Sequence, residues 1–177
     1  MSSTELPSEH LPFNRKERYF TGTVLPGIVA GDRLEHLDRF LDLCGLPQVL
    51  DQTAAAPKVQ FLTEYGFAES APFDSSGIWD DCIDGRDTPD VVIAGPDWIL
   101  SVEAKLYSTP TAAELEAQLG RQQELLDCWA QTLELTSDRV RLVALVAEGH
   151  RAEMGPLKWG STDGAVGWVR VRMPPGP

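Results

Sequence analysis

The stretch Asp87-Thr-Pro-Asp-Val-Val-Ile-Ala-Gly-Pro-Asp-Trp-Ile-Leu-Ser-Val-Glu-Ala-Lys105 decides the fold. Two apolar runs, Val91 to Ala94 and Trp98 to Val102, flank Gly95-Pro96-Asp97, whose Gly and Pro punctuate the backbone as a hairpin turn requires. Side chains alternate with period two along a strand. Ile99, Ser101, Glu103 and Lys105 are therefore expected on one face, and Leu100, Val102 and Ala104 on the other. Asp90 opens the partner strand, separated from Glu103 by the twelve residues Val91 to Val102, a span that suits one hairpin. Pairing across the turn then brings Asp90, Glu103 and Lys105 together where the apolar pattern runs out.

Two carboxylates are hard oxygen ligands of the kind that hold Mg²⁺ or Mn²⁺ together with waters and substrate phosphate oxygens, and the Ala104 carbonyl is a candidate third ligand. An ammonium at Lys105 would position a water or offset developing charge while the metal polarises a phosphoryl group. That chemistry is phosphodiester hydrolysis. The bland alternative is a solvated Glu103–Lys105 pair on an ordinary hairpin, worth a few tenths to about 1 kcal/mol.

Pro89-Asp90 and Glu103-Ala104-Lys105 resemble the motif of the PD-(D/E)xK nuclease superfamily. The resemblance implies an α/β, restriction-endonuclease-like αβββαβ core: a central mixed sheet flanked by helices. It implies a Mg²⁺- or Mn²⁺-dependent nuclease acting on nucleic acid, most simply DNA, in restriction, defence or repair. Asp90 and Glu103 with the Ala104 carbonyl would hold the metal, and Lys105 would assist the attacking water. A catalytically inactive protein of the same fold, serving as a binding or regulatory subunit, is the alternative.

Length and charge bound both readings. The chain has 177 residues, enough for one domain with a proper core, with 42% hydrophobic and 24% charged residues. Residues 1–13 lack periodicity and are expected to be a flexible arm, with a single domain over 14–177. The opening residues lack a secretory signal and no apolar run is long enough to cross a bilayer, so no membrane association and a cytoplasmic location are expected. Three cysteines, Cys44, Cys82 and Cys128, are far apart and suggest neither a disulfide framework nor a zinc site. Acids outnumber bases 27 to 15, for a net charge of −12. Nonspecific nucleic-acid binding is driven by Lys and Arg releasing counterions, so tight unaided binding of DNA is not expected. Delivery by a second copy of the chain or by a partner protein is. His10, His36 and His150 are scattered, and no G-x-S-x-G or P-loop spacing appears, which leaves nucleophilic catalysis without support.

Outward from the hairpin, Phe20, Val24, Leu25, Ile28 and Val29 recur at helical spacing, with Gly22 and Pro26 weakening or kinking the helix. Leu34, Leu37, Phe40, Leu41 and Leu43 predict a second amphipathic helix, ended by Gly45 and Pro47. A helix before the sheet often contributes an acid in the superfamily, which makes Glu17, and less so Glu35, an accessory candidate, against the plainer reading of both as solvated helix acids. Lys58 to Phe67 alternates as a strand, from which Glu64 either joins the acidic cluster or is an edge charge. Residues 69–86 read as a loop, with Asp80, Asp81, Asp84 and Asp87 as solvated acids.

After Lys105, Thr111-Ala-Ala-Glu114 is a capping box opening a helix to about Thr132, with Leu115, Leu119, Leu126 and Trp129 as its apolar stripe. Superfamily members often place a Gln or a basic residue from this helix over the substrate backbone. Gln118, Arg121, Gln122 and Gln123 are the candidates, against the plainer reading as exposed helix surface. Arg139 to Ala147 reads as a buried strand and Val166 to Arg172 as an alternating one.

Overall fold

The structure is a computed structural model that describes residues 17–31, 34–46, 50, 58–64, 88–107, 110–147 and, as backbone, 166–171. The expected arm, the acidic loop over 69–86, and Tyr65 and Pro47 lie outside the described residues.

The hairpin is the centre of the sheet. Strand β2 (Val91–Gly95) pairs antiparallel with β3 (Trp98–Lys105), with Val91 opposite Val102 and Gly95 opposite Trp98. Gly95 is required there: a Cβ on it would lie 2.1 Å from Trp98 Nε1, so only a residue without a side chain lets the indole lie across the turn. Strand β1 (Gln60–Thr63) adds antiparallel to β2. Strand β4 (Val140–Ala147) runs parallel to β3, and β5 (Val166–Val171) parallel to β4. The result is a five-stranded mixed sheet in the order β1-β2-β3-β4-β5.

A parallel β3–β4 pair needs a crossover, and a 21-residue helix supplies it. This crossover helix is α3 (Ala112–Thr132). Its start is fixed by the capping box: Thr111 Oγ1 accepts from Glu114 N at 3.3 Å and Glu114 Oε2 accepts from Thr111 N at 2.8 Å. Leu115, Leu119, Leu126 and Trp129 are fully buried against Val92, Ala94, Ile99, Leu142 and Ala144, the sheet face that α3 covers.

The opposite face is covered by the N-terminal helices. The helical run α1 (residues 17–30) contains a π-helical segment, Phe20–Val24, before it closes as the α-helix Leu25–Ala30. Pro26 lacks an N–H and cannot satisfy the Gly22 carbonyl, and the turn widens at this point: the Leu25 amide donates to Phe20 O instead. The weakening expected from Gly22 and Pro26 thus takes the form of a π segment. Helix α2 (Leu37–Leu43) ends on Gly45, whose φ of 82° turns the chain in a left-handed cap, with Leu46 N donating to Leu41 O at 2.8 Å. Phe20, Leu25, Val29, Leu37, Phe40 and Leu41 pack on Val91, Ile93, Leu100, Val102, Val143 and Leu145.

Three expectations need correction. Ile28 and Leu43, counted in the apolar stripes, are 59% and 62% exposed. Of the alternating stretch, whose residues 65–67 lie outside those described, β1 covers Gln60–Thr63, because Glu64 has a φ of 50° and leaves the extended conformation. Cys128 is disulfide-bonded rather than a thiol, whereas Cys44 is free and buried. Among the described residues no helix is long and apolar enough to cross a membrane.

Candidate functional site

Strand β3 continues beyond its partner. Its pairing with β2 ends at Val102–Val91, so Glu103, Ala104 and Lys105 run on beside Asp90, the residue just before β2. Ile99 belongs to the α3 face and Leu100, Val102 and Ala104 to the other, so period-two alternation puts Ser101, Glu103 and Lys105 on the α3 side. Asp90 shares that side with Val92 and Ala94 by the same alternation.

Asp90 is locked to the open edge of β3: its Oδ2 accepts from Ala104 N at 2.7 Å. A strand residue directs its N–H and C=O to the same neighbour, so the Ala104 carbonyl faces the edge that carries Asp90. Burial pushes the Asp90 carboxyl up, and the charge of Glu103 pushes it further; the Ala104 amide and the Lys105 ammonium pull it back, Glu17 raises it again, and the result is about 7. A carboxyl in a poorly solvated corner beside the charge of Glu103 resists ionisation.

Glu103 is the hub. It is 1% exposed, and Lys105 Nζ forms a short charged hydrogen bond to its Oε1. Gln118 Nε2 donates to the same Oε1 at 2.8 Å, and Gln122 Nε2 donates to Oε2 at 2.7 Å. A carboxylate has about four acceptor positions, so these three donors account for most of its capacity. Burial works against the Lys105 ammonium, but the charge and hydrogen bond of Glu103, with Asp90 and Glu17, hold its pKa above the ordinary lysine value.

Glu17 reaches the site from α1. Its Oε1 accepts from Leu106 N at 2.6 Å, one residue past Lys105, and its charge acts on both Asp90 and Lys105. Glu64 does not turn into the cluster. Its amide donates to Asp90 O at 3.0 Å, but its carboxylate pairs with Arg18 Nε at 2.7 Å and is 41% exposed. The left-handed backbone at Glu64 breaks the alternation that would have pointed it inward. Arg121 lies on the exposed face of α3, and Gln123 donates to Asp127 Oδ1 at 2.7 Å.

Gln118 and Gln122, expected at the substrate or on the surface, instead hold Glu103. A sequence signal for this exists. Leu115, Leu119, Gln122, Leu126 and Trp129 form one stripe with spacings of four and three, so Gln122 occupies a core position where an amide needs a buried partner. Gln118 lies one turn before it on the same side.

Among the described residues no three His, Cys, Asp or Glu side chains form a metal-holding group. The oxygen donors at this end of β3 are the Asp90 and Glu103 carboxylates and the Ala104 carbonyl. The chain matches no family model, no curated protein and no solved structure in such comparisons.

Proposed function

We propose that this chain is a metal-dependent phosphodiesterase acting on nucleic acid, most simply DNA, built on a restriction-endonuclease-like core. The observation that carries the reading is the clustering of Asp90, Glu103 and Lys105 on one side of the sheet, where β3 outruns β2 and the Ala104 backbone is tied to Asp90. The order of helices, three antiparallel strands, crossover helix and parallel strand fits the αβββαβ core. Asp90, Glu103 and the Ala104 carbonyl would hold Mg²⁺ or Mn²⁺. The bound ion would supply Lewis-acid stabilisation to the scissile phosphate and lower the pKa of a water.

The chain's own residues do the rest. Asp90, whose carboxyl burial and Glu103 push up to about 7, would hold the ion as its carboxylate. Lys105, drawn away from Glu103 as charge builds on the phosphate, holds the attacking water and offsets that charge. Gln122 keeps Glu103 in place from the buried side, and Glu17 fixes the end of β3. Restriction, defence or repair is the setting the family resemblance suggests. The strongly acidic balance favours delivery by a second copy of the chain or by a partner protein.

One observation favours a second reading. Glu103 is fully buried and already satisfied by Lys105, Gln118 and Gln122, as expected of a catalytically inactive subunit whose old site has become a structural network. Incubating the protein with plasmid, single-stranded DNA and RNA, each with Mg²⁺, Mn²⁺ or chelator, separates the two. Cleavage that requires the ion and disappears in Asp90→Ala supports the enzyme. Intact substrates together with no Mg²⁺ or Mn²⁺ binding by calorimetry support the subunit.

A further inference from the structure

We propose that Arg18 is a phosphate-binding residue at the mouth of this site, gripping a nucleic-acid backbone phosphate beside the one undergoing hydrolysis. The inference rests on the nuclease reading and adds to it a substrate contact that the sequence pattern did not suggest.

The start of α1 spans the site. Glu17 is fastened to β3 through Leu106 N at 2.6 Å, and the next residue, Arg18, is fastened to the end of β1 through Glu64 at 2.7 Å. Glu64 in turn donates its amide to Asp90 O at 3.0 Å, so Arg18 is anchored on the residue that lies opposite Asp90. Neighbouring strands are about 4.8 Å apart, which keeps this anchor close to the carboxylate pair.

Nε of the Arg18 guanidinium bonds to Glu64 Oε1, and the side chain is 65% exposed. Its terminal nitrogens carry four N–H groups in the planar fork that matches phosphate oxygens. A tether at Nε restricts the long side chain, which lowers the entropy lost on binding an anion. Charge gives the site a need for such a group. A polyanion approaching Asp90, Glu103 and Glu17 meets like charge, and Lys105, the cation within the cluster, is engaged with Glu103. Arg18, the residue after Glu17 and 65% exposed, supplies a positive charge next to that acid in the chain.

The test is the salt dependence of binding. Fluorescence anisotropy of labelled single-stranded and duplex oligonucleotides is measured on the full chain with Ca²⁺ as the hard divalent ion, over a series of salt concentrations. Arg18→Ala should weaken binding several-fold at low salt and reduce the log–log salt slope by about 0.7 for the single strand or about 0.9 for the duplex. Arg18→Lys should keep the slope with a smaller loss of affinity, and Arg39→Ala, on the exposed side of α2, should change neither. A purely structural pair would shift the melting temperature and leave the slope alone. Arg18→Ala binding with the parent's affinity and slope, while the parent cleaves with Mg²⁺, overturns the assignment of Arg18 and leaves the nuclease reading standing. A parent that neither binds nor cleaves overturns both.

Discussion

The two faces of the sheet are built from the same strands and carry different chemistry. Under α1 and α2 the buried sheet residues among those described are apolar, from Val91 and Ile93 to Leu100 and Val102, and they meet Leu37 and Leu41. Under α3 the apolar packing of Ile99, Leu119 and Leu126 is interrupted by Ser101, Glu103 and Gln122, three of the four buried polar residues among those described. The fourth, Thr21, bonds to Glu17 O of its own helix at 3.0 Å and needs nothing from the sheet. Burying a carboxylate costs several kcal/mol unless it is paired and hydrogen-bonded. A fold does not need that cost for stability, since one face already shows how the sheet is covered without it. The polar strip under α3 is therefore where function is to be sought, and substitutions on the two faces should separate stability from activity.

The largest effects should fall on opposite observables. Lys105→Ala should reduce turnover by about 10²–10⁴-fold with little change in KM, the range for losing a positioned proton-handling group. Leu100→Ala, on the apolar face, should instead destabilise by about 2–5 kcal/mol, because the cavity lies among fully buried neighbours. The activity per folded molecule should stay that of the parent. Urea unfolding and single-turnover cleavage on both variants check this. Equal turnover in Lys105→Ala and parent would leave the polar strip with no catalytic meaning.

The acid pair should also mark the pH dependence of stability. Asp90 titrates near 7 in the folded protein against 3.8 for an ordinary aspartate. Between those values the folded chain keeps a proton that the unfolded chain releases, so stability falls as pH rises through that window and levels off above it. Asp90→Asn removes the linkage, and its urea midpoint should decline less than the parent's between pH 4 and 8. If Mg²⁺ takes the place of the proton, it should raise the parent's midpoint more at pH 8 than at pH 5. Parallel pH profiles for parent and variant would show that Asp90 is not held in its protonated form.

Much of this architecture is legible in the chain because it is local. The hairpin, the α3 capping box and the alternation of β3 depend on residues within a few positions of one another, so period and turn chemistry specify them. What depends on distant partners is not legible. Glu64 alternates correctly through Leu62, yet its φ of 50° and its pairing with Arg18 turn it from the cluster. Ile28 and Leu43 sit at helical spacing but on helix sides that nothing among the described residues covers. Gln118 and Gln122 read as surface until α3 is docked on the sheet, although the core spacing of Gln122 between Leu119 and Leu126 marks it beforehand.

The two glutamines give the finest test of the contrast, because they hold opposite oxygens of one carboxylate in different surroundings. Gln122 is fully buried and donates to Oε2; Gln118 is half-buried and shares Oε1 with Lys105. Removing Gln122 leaves a buried carboxylate oxygen without that bond, a cost of about 1–3 kcal/mol. Removing Gln118 leaves Oε1 still bonded by Lys105, and the loss should be nearer the net value of one hydrogen bond, about 0.5–1.5 kcal/mol. Activity should follow the same asymmetry: Gln122→Ala lets Glu103 swing and lowers turnover more than Gln118→Ala does. Gln122→Glu is the sharper variant, since it sets a second buried carboxylate against Glu103 and should cost more than the alanine although it preserves the volume. If Gln118→Ala proves as damaging as Gln122→Ala in both melting temperature and turnover, Glu103 is held by the whole network equally, and the division into a buried grip and an outer, releasable one is lost.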